Sequence, residues 1–291
     1  MLDPKQQIEL INNSKSYVEI FSDISLWKTE SKRLLVAIHP DRCSLPGATE
    51  ASVKLINYMK EIESGITHLD DAGKVTYFPN YLTIEGDVEL LKISLKNYEM
   101  LVKISNEAFR KYLPEKMELT GNVLKITLKD RAVPLVSCSD LPQEHLNWIL
   151  SRMLEFCSWL DSVDYSHNGI NPESIYVVPA THGVIFISFY HLNEMNKKIS
   201  SVSGRFSSFY PEKTFREKTS NTSIDIECAK RTIIYSGGDK SGLGISLKGK
   251  LNFDWLNFVL RFSSGCTFDV YKEYRKMIDK NFEKKFYVLN I

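Results

Sequence analysis

The sequence predicts an α+β chain in which a small all-helical unit is followed by a unit that begins as an antiparallel sheet and ends in helices. Three observations carry this. Residues 1–65 hold apolar residues at helical spacing and no strand-like alternation. Residues 74–137 break into short apolar runs between turns. From Leu141 onward the three- and four-residue spacing returns. At 291 residues the chain is long enough to bury two cores.

In the first unit the spacing predicts helices over about 6–22, 26–38 and 48–63, with Gly47 before the third and Gly65 after it. The polar stretch Asp70-Asp71-Ala72-Gly73 reads as a hinge and sets the first boundary, giving domains 1–69, 70–140 and 141–291. Strands are expected at Val75–Tyr81, Val88–Ile93, Glu99–Ile104, Val123–Leu128 and Val133–Val136, interrupted by a helix around Asn106–Tyr112. Leu146, Ile149, Leu150, Met153, Leu154, Cys157 and Leu160 then share one helical face, with Pro142 and Glu144 at its start. Further helices are expected at about 223–236, 252–263 and 267–284.

Composition narrows the function classes. Lys and Arg total 37 against 36 Asp and Glu, a net charge of +1, so there is no global argument for nucleic acid or an anionic membrane as partner. The five cysteines are scattered and never spaced C-x-x-C, and the six histidines form no H-x-x-x-H pair. A disulfide framework and a metal site are therefore not expected. No apolar run approaches the roughly 18 residues that span a bilayer, and Met1-Leu2-Asp3-Pro4-Lys5 lacks the build of a signal peptide, so a cytoplasmic protein is expected.

Two stretches carry chemical signals. The first is Ser166-His167-Asn168-Gly169-Ile170-Asn171-Pro172-Glu173-Ser174, which has the frame of H-R-D-L-x-x-x-N. His167 keeps its place and Asn171 falls within the loop, but Gly169 stands at the Asp position and Ser174 at the Asn position. Val184–Tyr190 follows as a strand, with Ser188 where D-F-G has its Asp. Tyr210-Pro211-Glu212 has the frame of A-P-E, and Asp225 lies on the next helical stretch. This region, about 70–290, resembles a protein kinase. The resemblance implies a bilobal kinase-like domain: a sheet lobe over 70–140, a helical lobe over 141–291, and structural roles for Pro211, Glu212 and Asp225. Asp225 matches the residue that holds the backbone of the His-containing loop in that family.

With the proton-accepting and Mg²⁺-holding groups replaced at Gly169, Ser174 and Ser188, the resemblance implies a pseudokinase without phosphoryl transfer. No cofactor is expected beyond weak ATP binding. The family's third-strand Lys would be Lys103, or Lys92 with Glu107 as its helix partner if the first hairpin lies earlier. Nucleotide chemistry through relocated acids, such as Asp87 or Asp239, is the alternative.

The second signal is His39-Pro40-Asp41, between a helix carrying Lys32 and Arg33 and a following helix. Pro40 stops the helix and stiffens the loop, presenting His39 and Asp41 at a fixed corner. This resembles a J-domain, in which the H-P-D tripeptide and a basic pair on the preceding helix engage an Hsp70-type chaperone. The combination implies a co-chaperone-like adaptor whose first unit binds Hsp70 and whose kinase-like unit binds a protein client.

Overall fold

The computed structural model describes residues 3–14, 17–21, 26–78, 80–263 and 265–289. The chain divides into two compact units, residues 1–67 with 76–79, and residues 68–75 with 80–290.

The first unit contains helices α1 (Pro4–Asn13), α2 (Trp27–Ile38) and α3 (Ala48–Ser64). Asp3 starts α1 with a capping box, its side chain accepting the Gln6 N–H while Gln6 reaches back to the Asp3 N–H. The helix expected over 6–22 stops at Asn13, because Ser14 turns extended; a short 3₁₀ turn follows at Tyr17–Glu19, and residue 22 lies outside the described residues. Lys54 of α3 closes the end of α1 by donating to the carbonyls of Asn12 and Ser14 at 2.9 and 2.6 Å. Ile8, Ile11, Phe21, Leu34, Ile38, Ala51 and Leu55 are buried in one core that ties the three helices together. A Leu55→Ala cavity in it would cost about 2–5 kcal/mol.

Beyond α3 come strands β1 (Ile66–Leu69), β2 (Gly73–Phe78) and β3 (Tyr81–Gly86). The expected hinge is a tight turn: Asp70 N–H donates to the Gly73 carbonyl, and the Asp70 carboxylate accepts the N–H groups of Ala72 and Gly73. The single strand expected over 75–81 is the end of β2 and the start of β3.

The largest departure from the sequence reading follows. Val88–Ile93 and Glu99–Ile104 are not strands; both belong to one 17-residue helix, α4 (Val88–Ile104). Asp87 caps it by accepting the N–H groups of Glu89 and Leu90, and Leu91, Ser94, Tyr98 and Leu101 form its buried face. Lys92 and Lys103 therefore lie on a helix, and the third strand, Tyr81-Leu82-Thr83-Ile84-Glu85-Gly86, carries no lysine.

The short helix α5 (Glu107–Arg110) leads to the hairpin β4 (Lys116–Thr120) and β5 (Val123–Thr127). β4 was not expected. The five-stranded sheet runs in the order β1-β2-β3-β5-β4, with β3 antiparallel to β5 from Tyr81↔Thr127 to Glu85↔Val123. β6 (Val133–Pro134) is shorter than expected and joins a second sheet, β6-β8-β9, with β8 (Ile175–Val178) and β9 (Gly183–Phe186). A third pairing links β7 (Tyr165–Ser166) to β10 (Asn193–Glu194).

The helices of the second unit are α6 (Gln143–Ser162), α7 (Glu212–Glu217), α8 (Thr222–Ser236), α9 (Phe253–Leu260) and α10 (Thr267–Asn281). All but α7 follow the expected spans to within a few residues at the ends. α6 buries Leu146, Ile149, Leu150, Met153, Leu154, Cys157 and Leu160, and α8 and α10 pack against it. Lys230 of α8 is fully buried, its charge held by Glu227 at 3.1 Å and by the Arg261 carbonyl and Ser263 hydroxyl at 2.6 Å each. This fixes the chain after α9 without an unpaired buried charge.

Candidate functional site

In the first unit, α2 ends at His39, whose extended backbone breaks the helix. The His39 carbonyl accepts the N–H groups of Arg42 and Cys43, closing a compact turn around Pro40. Its Nδ1 accepts the Asp41 N–H at 3.3 Å and lies 3.6 Å from the Asp41 carboxylate. The two side chains remain 49% and 86% exposed, so the turn orders them without hiding them. Lys32, Arg33 and Val36 are exposed on the turns of α2 leading to this corner, and Leu34 and Ile38 face the core. The structure thus brings Lys32, Arg33, His39, Pro40 and Asp41 into one exposed, basic-flanked corner.

In the second unit the loop after β7 is built inward. The Asp225 carboxylate, fully buried on α8, accepts the His167 and Asn168 N–H groups at 2.7 Å each. Burial pushes this carboxyl up to about 6, against the pull of those two donors. His167 packs between the rings of Phe186 and Phe189. Burial lowers its imidazole to about 3, with repulsion from His191 adding to it. The Phe189 backbone is tied to α4: Ser94 Oγ accepts its N–H at 3.0 Å and Asn97 donates to its carbonyl at 2.8 Å.

Gly169, Asn171, Ser174 and Ser188 do meet, around a cavity of only about 10 Å³, room for about one water. Gly169 is closely covered: a Cβ there would lie 2.6 Å from Cδ2 of His191, so any larger residue must displace that ring. Asn171 and Ser174 spend their polar groups on each other, Ser174 Oγ donating to the Asn171 carbonyl and Asn171 Oδ1 accepting the Glu173 and Ser174 N–H groups.

The residues that fill the cavity were not singled out in the sequence. Asp70 accepts the Tyr190 hydroxyl at 2.7 Å, and Asp71 lies 3.1 Å from His191 Nε2, whose Nδ1 meets Ser201 at 2.8 Å. Arg205 Nε donates to both oxygens of Glu173 at 3.0 Å. Tyr210 donates to the Asn168 carbonyl at 2.6 Å and accepts the Ser203 N–H, holding the segment over the loop. Burial pushes Glu173 up to about 7 in spite of Arg205, and it raises Asp70 as well. For Asp71 burial is outweighed by hydrogen bonds from His191 and Ser203, leaving its carboxyl below the usual range. Asp70, Asp71 and Glu173 thus line a cavity of about one water's size.

Neither candidate lysine reaches this place. Lys92 is exposed and paired with Glu89 at 2.7 Å, and Lys103 is exposed in the last turn of α4. Pro211 and Glu212 begin α7, with Glu212 exposed. The proposed relocated acids are spent structurally: Asp87 caps α4, and Asp239 accepts from Ser241 and Ser246.

Among the described residues no group of three or more His, Cys, Asp or Glu is arranged to hold a metal ion, and no helix is long and apolar enough to cross a membrane. No protein-family model matches the chain, and a search of curated proteins finds no significant similarity.

Proposed function

We propose that the chain is a J-domain-type adaptor whose first unit recruits and stimulates an Hsp70-type chaperone, and whose second unit is a kinase-like platform that holds a protein client and transfers no phosphate. The observation that carries this is the His39-Pro40-Asp41 corner: two polar side chains ordered by their own turn, exposed, and flanked by Lys32 and Arg33 on α2. Such a corner contributes recognition rather than stability.

The kinase-like reading is supported by the order of elements, a sheet followed by the long helix α6, a histidine loop, the β8-β9 pair and further helices. It is also supported by the hold of Asp225 on the loop backbone. The reading without phosphoryl transfer is supported by Gly169, where a Cβ would crowd the His191 ring, and by a third strand without lysine. ATP binding, expected to be weak, would require Tyr190, His191 and the Asp70 turn to move together. A cytoplasmic setting is part of the same proposal.

The test is stimulation of Hsp70 ATPase by the full chain. The unmodified protein should raise turnover, and His39→Gln should return it to the basal rate with an unchanged circular dichroism spectrum. Charge reversal at Lys32 or Arg33 should weaken the effect more at low salt than at high salt. If the unmodified chain fails to stimulate, or His39→Gln stimulates equally well, the reading is wrong. A second reading, a divergent phosphotransferase, draws on Asp70, Asp71 and Glu173 gathered at the loop. Transfer of labelled phosphate from ATP with Mg²⁺, lost in Glu173→Gln, would favour it.

A further inference from the structure

The segment joining α8 to α9 combines two properties that a water-exposed connection has no reason to combine. It presents large apolar side chains to solvent: Leu243 is 51% exposed, Ile245 64% and Phe253, in the first turn of α9, 75%. It also holds them rigidly. Asp239 accepts the N–H groups of Ser241 and Ser246 at 3.1 Å each. Gly244 adopts a left-handed φ of 72°, and a Cβ there would lie 2.7 Å from Leu260 of α9. Only glycine lets the loop approach so closely. The loop is thereby pressed onto the helix that carries Phe253, and loop and helix start together expose three large apolar side chains.

The exposed charged residues of the segment, Lys240, Lys248 and Lys250, are all cationic, while Asp239 is engaged within the loop and Asp254, in the first turn of α9, pairs with Lys280 at 3.6 Å. The cations are lysines. Protein interfaces are depleted in lysine and enriched in arginine. A lysine beside an apolar tip suits a lipid surface, where its stem lies along acyl chains and its ammonium reaches the headgroups.

We propose that this face docks on an anionic lipid bilayer, with Leu243, Ile245 and Phe253 entering the interfacial layer and Lys248 and Lys250 meeting the acidic headgroups. The chain then works at a membrane surface without crossing it, a property independent of the Hsp70 reading.

Co-sedimentation of the full chain with vesicles tests this, using phosphatidylcholine alone and a 70:30 mixture with phosphatidylserine. Binding should be about tenfold stronger to the mixture and should weaken as salt rises. Ile245→Ser/Phe253→Ser and Lys248→Glu/Lys250→Glu should each lower it about tenfold with unchanged melting temperature, while Lys32→Glu/Arg33→Glu should not. The proposal is overturned if the native chain shows no preference for phosphatidylserine, or if neither loop variant weakens binding. It is equally overturned if the α2 variant weakens binding as much as the loop variants do. A native chain that ignores both vesicles but self-associates through this patch, becoming monomeric in Ile245→Ser/Phe253→Ser, would assign the face to a second copy instead.

Discussion

The loop at His39 and the loop at His167 each present a histidine shortly after a long helix, and they spend their polar groups in opposite directions. Around His39 the backbone satisfies itself within four residues, and the imidazole and the Asp41 carboxylate stay exposed to solvent. Around His167 the loop is held from elsewhere in the second unit: Asp225 of α8 accepts the His167 and Asn168 N–H groups, the His191 carbonyl accepts from the Asn168 amide, and Tyr210, just before α7, donates to the Asn168 carbonyl. A loop ordered by local bonds can be changed in chemistry without loss of fold. A loop ordered from a distance cannot, and its residues report stability first.

That contrast can be broken most directly at Asp225. Asp225→Ala strands two buried N–H groups and should cost about 3–5 kcal/mol, seen as an earlier unfolding midpoint in urea. If the cost is under about 1 kcal/mol, the His167 loop is not held from α8. Placing an acid there with Gly169→Asp should cost about 1–3 kcal/mol, because the new side chain must displace His191, and should produce no phosphoryl transfer in a radiolabel assay.

A smaller effect separates the loops by pH. His167 titrates near 3 when folded and near 6.5 when unfolded. The folded pKa is depressed, so its contribution is fully present above about 6.5 and is lost as pH falls toward 3, with a slope of at most about 1.4 kcal/mol per pH unit. Glu173 has the opposite sign: its folded value of about 7 exceeds the unfolded one, so stability falls as pH rises from about 4.5 to 7. Urea midpoints measured across pH 4–8 should therefore rise less steeply in His167→Gln at the acid end. In Glu173→Gln the decline between pH 4.5 and 7 should disappear, and an unaltered decline would remove Glu173 as its source. Smallest of all, Asp41→Ala should shift stability by no more than about 0.5 kcal/mol, since its side chain is exposed and it receives no bond from another element.

The parts of this fold legible in the sequence are those in which burial and spacing agree. α2, α3 and α6 display apolar residues at helical spacing, Pro142 opens α6, and glycines follow α3 and α8. α4 misled because Val88–Ile93 and Glu99–Ile104 imitate two short apolar strands, while its true inner face includes Ser94 and Tyr98, which do not announce a core. Ser94 is buried because its hydroxyl serves the Phe189 backbone, a relation across 95 residues that no local pattern contains. The same applies to the candidate site. The His39 corner could be read from five positions, a basic pair on one helix and the tripeptide that ends it, but the filling of the cavity in the second unit by Asp70, Asp71, Tyr190 and His191 depends on tertiary pairing alone.

Those pairings have a kinetic meaning. The bonds from Asp70 to Tyr190 and from Asp71 to His191 each close a loop of 120 residues, and a loop that long costs about 2 kcal/mol more chain entropy than one of ten residues. The β4-β5 hairpin and α6 need no such closure. The refolding chain should therefore assemble its helices and hairpin while Asp70, Asp71 and Glu173 still face water, and bury them in a late step. During that interval the Ser203 N–H, which the Tyr210 hydroxyl holds buried in the folded chain, is open to solvent, so pulsed hydrogen exchange at that amide would time the sealing of the cavity separately from the formation of its walls.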